Sequence, residues 1–180
     1  MTPKFVIDNV VNMSLWQDTV WINHSKKLFF VPIWRNGNTE FMYAADKFGF
    51  KLEILDNVDY IGFAFIRNPN LRIAGQIWRA MQNQGLSFNQ CIKNLNTDLD
   101  PHFRTQHSFV EKYNIEYYLD LDNLQLTDNV DINEIIYHMQ KISDPRCKTK
   151  NKSKLESRLI YHSYLIKTIY KFDFLLYNKL

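Results

Sequence analysis

Cysteine is scarce in this chain. Cys91 and Cys147 are the two that 180 residues provide, and neither sits in a CxxC or Cys/His ligand pattern. A disulfide framework and a zinc site are therefore not expected. No apolar run reaches about 18 residues, so a membrane-spanning helix is not expected either. A dominant charge is also missing: the formal net charge of +3 is too mild to argue for a nucleic-acid partner. Residues 1–12 carry one lysine and an apolar patch broken by Asp8 and Asn9, too short and too polar for a secretory signal. A cytoplasmic location is expected, in a host cytoplasm if the source is viral. Internal repeats and low-complexity tracts are absent as well.

What is present is globular. Hydrophobic residues make up 46% and aromatics 15%, and a chain of this length buries roughly 70% of its unfolded surface without help from a metal or disulfide. One domain over residues 27–180 is expected, with residues 1–26 as an N-terminal arm. The 18 asparagines, with many lysines, isoleucines and tyrosines, suggest an AT-rich genome of microbial or viral kind. Arg146, Lys148, Lys150, Lys152 and Lys154 are nearly consecutive. They read either as a solvated loop or as a stretch that greets an anion. Nucleic acid is disfavoured because no aromatic residue interleaves them to stack on bases.

Along the chain, Lys27–Ile33 (KLFFVPI) reads as a buried parallel strand ending in the loop Arg35–Thr39. A helix over Glu40–Phe48 follows, stopped by Gly49. Phe50–Leu55 and Tyr60–Ile66 are further strands, the latter running into Arg67-Asn68-Pro69-Asn70 and a helix over Leu71–Gln84. Ser87 is an N-cap for a helix through Leu95. Ile115–Leu121 reads as a strand, Asp131–Ile142 and Leu155–Leu176 as helices. The alternation predicts an α/β fold with a P-loop-like three-layer arrangement and a mostly parallel sheet. Right-handed crossovers then bring both strand-to-helix loops to the carboxyl edge, where such sheets bind ligands. The strands ending at Ile33 and Ile66 should be parallel neighbours.

Arg35-Asn36-Gly37-Asn38-Thr39 precedes a helix, where free backbone N–H groups and the positive helix end favour a phosphate. It lacks the second glycine and the Gly-Lys-Ser/Thr ending of a Walker A motif. Asn-Gly is also a common tight-turn dipeptide, so a plain turn is the alternative. In the second loop Arg67 ends a strand, Pro69 sets the bend, and Arg72 falls in the first turns of the helix. Arginine suits bidentate phosphate binding; alternatively, Arg72 is a surface helix residue.

Taken in order, these segments resemble the sulfotransferases of the carbohydrate type. RNGNT is similar to their 5'-phosphosulfate loop, Lys-x-Gly-x-Ser/Thr, and FAFIRNPNLRIAG to their 3'-phosphate motif, Arg-Asp-Pro-x-x-Arg-x-x-Ser. Asp100–Gln106 (DPHFRTQ) resembles their Asp-x-His-x-x-x-Gln stretch, YLDLDNL (118–124) their strand-plus-Glu-Asn-Leu segment, and Ile169–Phe174 (IYKFDF) their Tyr-x-x-Asp-Phe. The resemblance implies transfer of a sulfuryl group from 3'-phosphoadenosine-5'-phosphosulfate to a hydroxyl, on a carbohydrate above all, without a metal. By motif position Arg35 replaces the lysine that bridges donor and leaving phosphate, and Asn36, Gly37, Asn38 and Thr39 hold the 5'-phosphate. Arg67 holds the 3'-phosphate, and Gly75 stands where the family's serine contacts it. Lys152 and Ser153 lie in the stretch that covers the donor. His102 is the candidate base, with a plain loop histidine as the alternative. Nucleic acid and membrane are not expected as partners. Arg35, Asn68 and Gly75 depart from the pattern, which keeps a second expectation open: a catalytically inactive protein of this fold with a structural or partner-binding role.

Overall fold

The apolar runs become strands of one open sheet. The computed structural model describes residues 19–34, 36–56, 59–95, 103–141 and 152–180. Five strands, β1 (Thr19–Asn23), β2 (Leu28–Phe30), β3 (Lys51–Ile54), β4 (Ile61–Ile66) and β5 (Tyr117–Asp120), lie in the order β3-β1-β2-β4-β5. The helices are α1 (Asn38–Lys47), α2 (Pro69–Gln84), α3 (Phe88–Asn94), α4 (His107–Val110) and α5 (Val130–Lys141). They continue as α6 (Lys152–Leu159), a 3-10 turn (Ile160–His162), α7 (Ser163–Ile169) and α8 (Lys171–Tyr177). The fold is α/β.

The sheet is mixed, which corrects the mostly parallel arrangement expected from sequence. β2 pairs with β4 and β4 with β5 in parallel, whereas β1 is antiparallel to both β2 and β3. β1 alone runs against the other four. It comes from residues read as part of an N-terminal arm. Val20, Trp21 and Ile22 are all buried, so β1 shows no polar alternation to mark it as a strand. The hairpin into β2 is shaped by Asn23, whose Oδ1 accepts from Ser25 Oγ (2.8 Å) and the Lys26 N–H (2.9 Å). Because β1 occupies the place beside β2, β3 joins at the outer edge. Residues 1–18 of that arm lie outside the described residues.

Period-two alternation lets each strand serve two faces. Phe30, Phe63, Phe65 and Leu119 pack with Phe41 of α1 and with Ile132, Ile135 and Ile136 of α5. Phe30 stacks on Phe41 with centroids 3.8 Å apart. Phe29, Ala64 and Ile66 turn the other way, toward Val110 of α4 and Leu176 of α8. A third cluster joins α2, α3, α6 and α7 through Ile73, Ile77, Phe88, Leu159 and Ile166. Three helices begin at residues suited to the start. Gly37, left-handed at φ 75°, starts α1. Asn68 accepts the Asn70 N–H and Pro69 opens α2. Ser87 and Gln90 form a capping box at α3. The long helix expected over Leu155–Leu176 is broken by the 3-10 turn and again at Tyr170 (φ −101°, ψ 25°). Among the described residues no helix is long and apolar enough to cross a membrane.

Gly62 marks the tightest point of the sheet. A Cβ there would lie 2.4 Å from Phe29 Cζ and 2.6 Å from the Asn114 carbonyl oxygen. A buried ring and a backbone group have little room to move. Gly62→Ala should therefore cost about 1–3 kcal/mol, the range of overpacked cores, read as a lower urea midpoint at unchanged m-value.

Candidate functional site

The loops after β2 and β4 open at one edge because these strands are parallel neighbours, with Phe30 opposite Phe63. This agrees with the sequence expectation, and side chains tie the loops together. Asn36, buried in the first loop, donates through Nδ2 to the Phe65 carbonyl (2.7 Å) and to Gln106 Oε1. Gln106, also buried, accepts the Arg67 N–H at 2.8 Å and donates from Nε2 to the Arg67 carbonyl at 2.9 Å. It holds the end of β4 as a neighbouring strand would. Its own position comes from α8: Asp173 accepts the backbone N–H groups of Gln106 (2.8 Å) and His107 (2.9 Å) on its two oxygens. Asp173 thus serves the N-terminus of α4, where a negative charge is favoured.

Arg72 is buried, which overturns its surface alternative. Its Nε and Nη2 both reach the Trp34 carbonyl at 3.3 Å, fixing the first loop from α2. Nη1 lies 4.0 Å from Asp173 Oδ2 and has no hydrogen-bond partner among the described residues. Burial lowers the Arg72 pKa, and the same cause holds the Asp173 carboxyl above its usual range. Their mutual attraction offsets this only in part. Tyr170, whose hydroxyl donates to the Phe103 carbonyl at 2.5 Å, is likewise pushed up by burial.

Arg67 keeps its guanidinium at the surface but not open. Nε lies 2.9 and 3.1 Å from the two Asp122 oxygens, and Nη2 lies 2.8 Å from Oδ1. This is a side-on, bidentate pair. An incoming anion must compete with Asp122. Gly37 is favoured by its positive φ, and a Cβ there would also press on Leu121 Cδ1 at 2.9 Å. No side chain caps α1 at Gly37. Asn38 and Thr39 form its first turn, with Thr39 exposed.

The structure therefore brings Asn36, Gly37 and Arg67 together. Gly75 sits within α2, and Lys152 and Ser153 open α6, their side chains outside what is described. Arg35 and His102 lie outside the described residues. Among the described residues no group of acids, histidines and cysteines is arranged to hold a metal. Reading for phosphate ligands passed over Gln106, Asp122 and Asp173. All three stand in motif-like stretches singled out from the sequence, DPHFRTQ, YLDLDNL and IYKFDF, so the signal was present.

Gln106→Leu removes one of the two acceptors of Asn36 and the partners of both Arg67 backbone groups, and at about 1–3 kcal/mol for each buried unsatisfied group the unfolding free energy should drop by about 3 kcal/mol or more. A second expectation follows from pH. The folded state holds the Asp173 proton more tightly than the unfolded chain, where the carboxyl titrates near its ordinary 3.8. That contribution to stability is complete below the unfolded value and lost as pH rises through the folded one. Asp173→Asn has no such titration, so the parent's stability relative to the variant should fall as pH rises above the ordinary carboxylate range, as measured by urea unfolding at stepped pH.

Compared with family models, with curated proteins and with solved structures, the chain matches none, and its functional reading rests on its own residues.

Proposed function

We propose that this protein transfers a sulfuryl group from 3'-phosphoadenosine-5'-phosphosulfate to a hydroxyl group, a sugar hydroxyl above all. The observation that carries the proposal is the junction of the two loops: β2 and β4 are parallel neighbours, and Asn36, Gln106 and Arg67 link the loops that follow them. Two strand-to-helix loops held side by side, one opening a helix at a left-handed glycine, make a place for a ligand with two separated phosphates. Arg72 Nη1, without a hydrogen-bond partner among the described residues, leaves a buried cationic donor behind that edge.

In this reading the acceptor oxygen attacks sulfur in line with the leaving 5'-phosphate. The bond between sulfur and the bridging oxygen breaks, His102 takes the hydroxyl proton, and 3',5'-bisphosphoadenosine departs. Arg35 stabilises the charge that gathers on the bridging oxygen without giving up a proton, since a guanidinium stays charged. The loop Asn36–Thr39 receives the 5'-phosphate on backbone N–H groups. Arg67 exchanges Asp122 for the 3'-phosphate. Lys152 and Ser153 border the donor, and Gly75 leaves the 3'-phosphate without the hydroxyl that a serine would supply.

The Arg67–Asp122 pair favours a second reading, a non-catalytic protein with a structural or partner-binding role, in which that arginine is permanently engaged. Calorimetry with 3',5'-bisphosphoadenosine separates the two. Under the transferase reading the nucleotide binds, and Asp122→Ala, which frees Arg67, tightens binding about tenfold, the worth of one charge-assisted hydrogen bond. Absence of binding by both parent and variant at high micromolar nucleotide would leave the second reading standing. For turnover, Arg35→Ala should lower the rate of bisphosphate release roughly 100- to 1000-fold, the usual cost of one transition-state donor. Arg35→Lys, which keeps the charge, should retain activity.

A further inference from the structure

The last helices carry two apolar sides. Leu155, Leu159, Ile166, Tyr170 and Leu176 point into the molecule and are buried. Ile160, Tyr161, Tyr164, Leu165, Phe172 and Leu175 remain exposed, Tyr161 by 90% and Tyr164 by 85%. They are spread over the 3-10 turn, α7 and α8, three short segments that follow one another in the chain. A single exposed apolar residue is ordinary; six large ones within residues 160–175 mark a contact surface.

Charge identifies the partner. From Arg158 to Lys179 the exposed charged side chains are Arg158, Lys167, Lys171 and Lys179, while the sole acidic residue, Asp173, is buried. A second copy of the chain, packed face to face, would set these cations against one another. The partner is therefore anionic. A single-stranded nucleic acid offers bases for aromatic rings and phosphates for lysines, but gives Ile160, Leu165 and Leu175 nothing apolar to enter. An anionic bilayer satisfies both sets. Aliphatic and aromatic side chains enter the headgroup boundary, and lysines lay their stems along it with the ammonium groups at phosphate level.

We propose that the outer face of the 3-10 turn, α7 and α8 seats the protein on the surface of an anionic lipid bilayer. Lying on a bilayer differs from crossing it, and a surface contact needs no long apolar helix. The proposal stands apart from sulfuryl transfer, because neither Arg35 nor Arg67 takes part.

Vesicle flotation of the full chain tests it. The protein should float with phosphatidylcholine vesicles containing about 30% phosphatidylserine, float poorly with phosphatidylcholine alone, and be released by salt, since the attraction is to the anionic surface. Tyr161→Ser/Tyr164→Ser changes two exposed side chains and should leave thermal unfolding where it was, yet lower the bound fraction at least about tenfold, given that adhesion scales with inserted apolar area. Lys167→Glu/Lys171→Glu should weaken binding to the anionic vesicles alone. Equal flotation of parent and tyrosine variant, or no flotation with anionic vesicles, would overturn the proposal. Retention on poly(dT) that the tyrosine variant loses, without vesicle binding, would reassign the face to nucleic acid. A dimer in sedimentation velocity that the same variant dissolves, again without vesicle binding, would reassign it to self-association.

Discussion

Asp173 reaches Gln106 and His107 from the last helix, and Gln106 in turn reaches Arg67 and Asn36. Four segments far apart in sequence meet in that chain of bonds. The aromatic core around Phe30 and Phe41 packs the sheet against α1 and α5, but apolar attraction has no direction and tolerates small slips. The polar junction does not. Its hydrogen-bonded groups are taken from water and costly to leave unpaired, so the bonds among the loop after β2, the end of β4 and the start of α4 fix how these segments sit. The candidate site is the outer side of this junction.

Arg72 extends the same logic at a cost. Its charge and that of Asp173 are both disfavoured by burial, and their 4.0 Å separation is too long to restore what is lost. Such pairs are weak sources of stability. What the guanidinium does achieve is positional: two of its nitrogens converge on one carbonyl, that of Trp34, and so aim the following residues. Of the two arginines that flank the second loop, Arg72 supports the first loop from inside, whereas Arg67 stands at the rim.

Much of the fold was legible where periodicity or capping chemistry left a trace. The helix at Val130–Lys141 follows from Ile132, Ile135, Ile136 and Met139 on one face, and α3 follows from its N-cap Ser87. The parallel pairing of β2 and β4 was readable from two apolar runs that each feed a loop and a helix. β1 was not. Its three central residues are buried on both sides of the sheet, so it carries no alternation, and one of its two partners, residues 51–54, lies beyond α1, a relation that local pattern does not record. In the site, residue types announced where an anion would find donors, whereas the carboxylates that neutralise or position those donors come from β5's end and from α8. Asp122 and Asp173 acquire their roles through contacts across 55 and 66 or 67 residues.

β3 is held in the sheet through β1 alone. β1 closes on β2 through a four-residue turn, whereas β3 reaches β1 only across the intervening helix α1. A cut or insertion between Thr19 and Asn23 reaches beyond its own strand, because among the described residues it also removes the strand on which Lys51–Ile54 pairs.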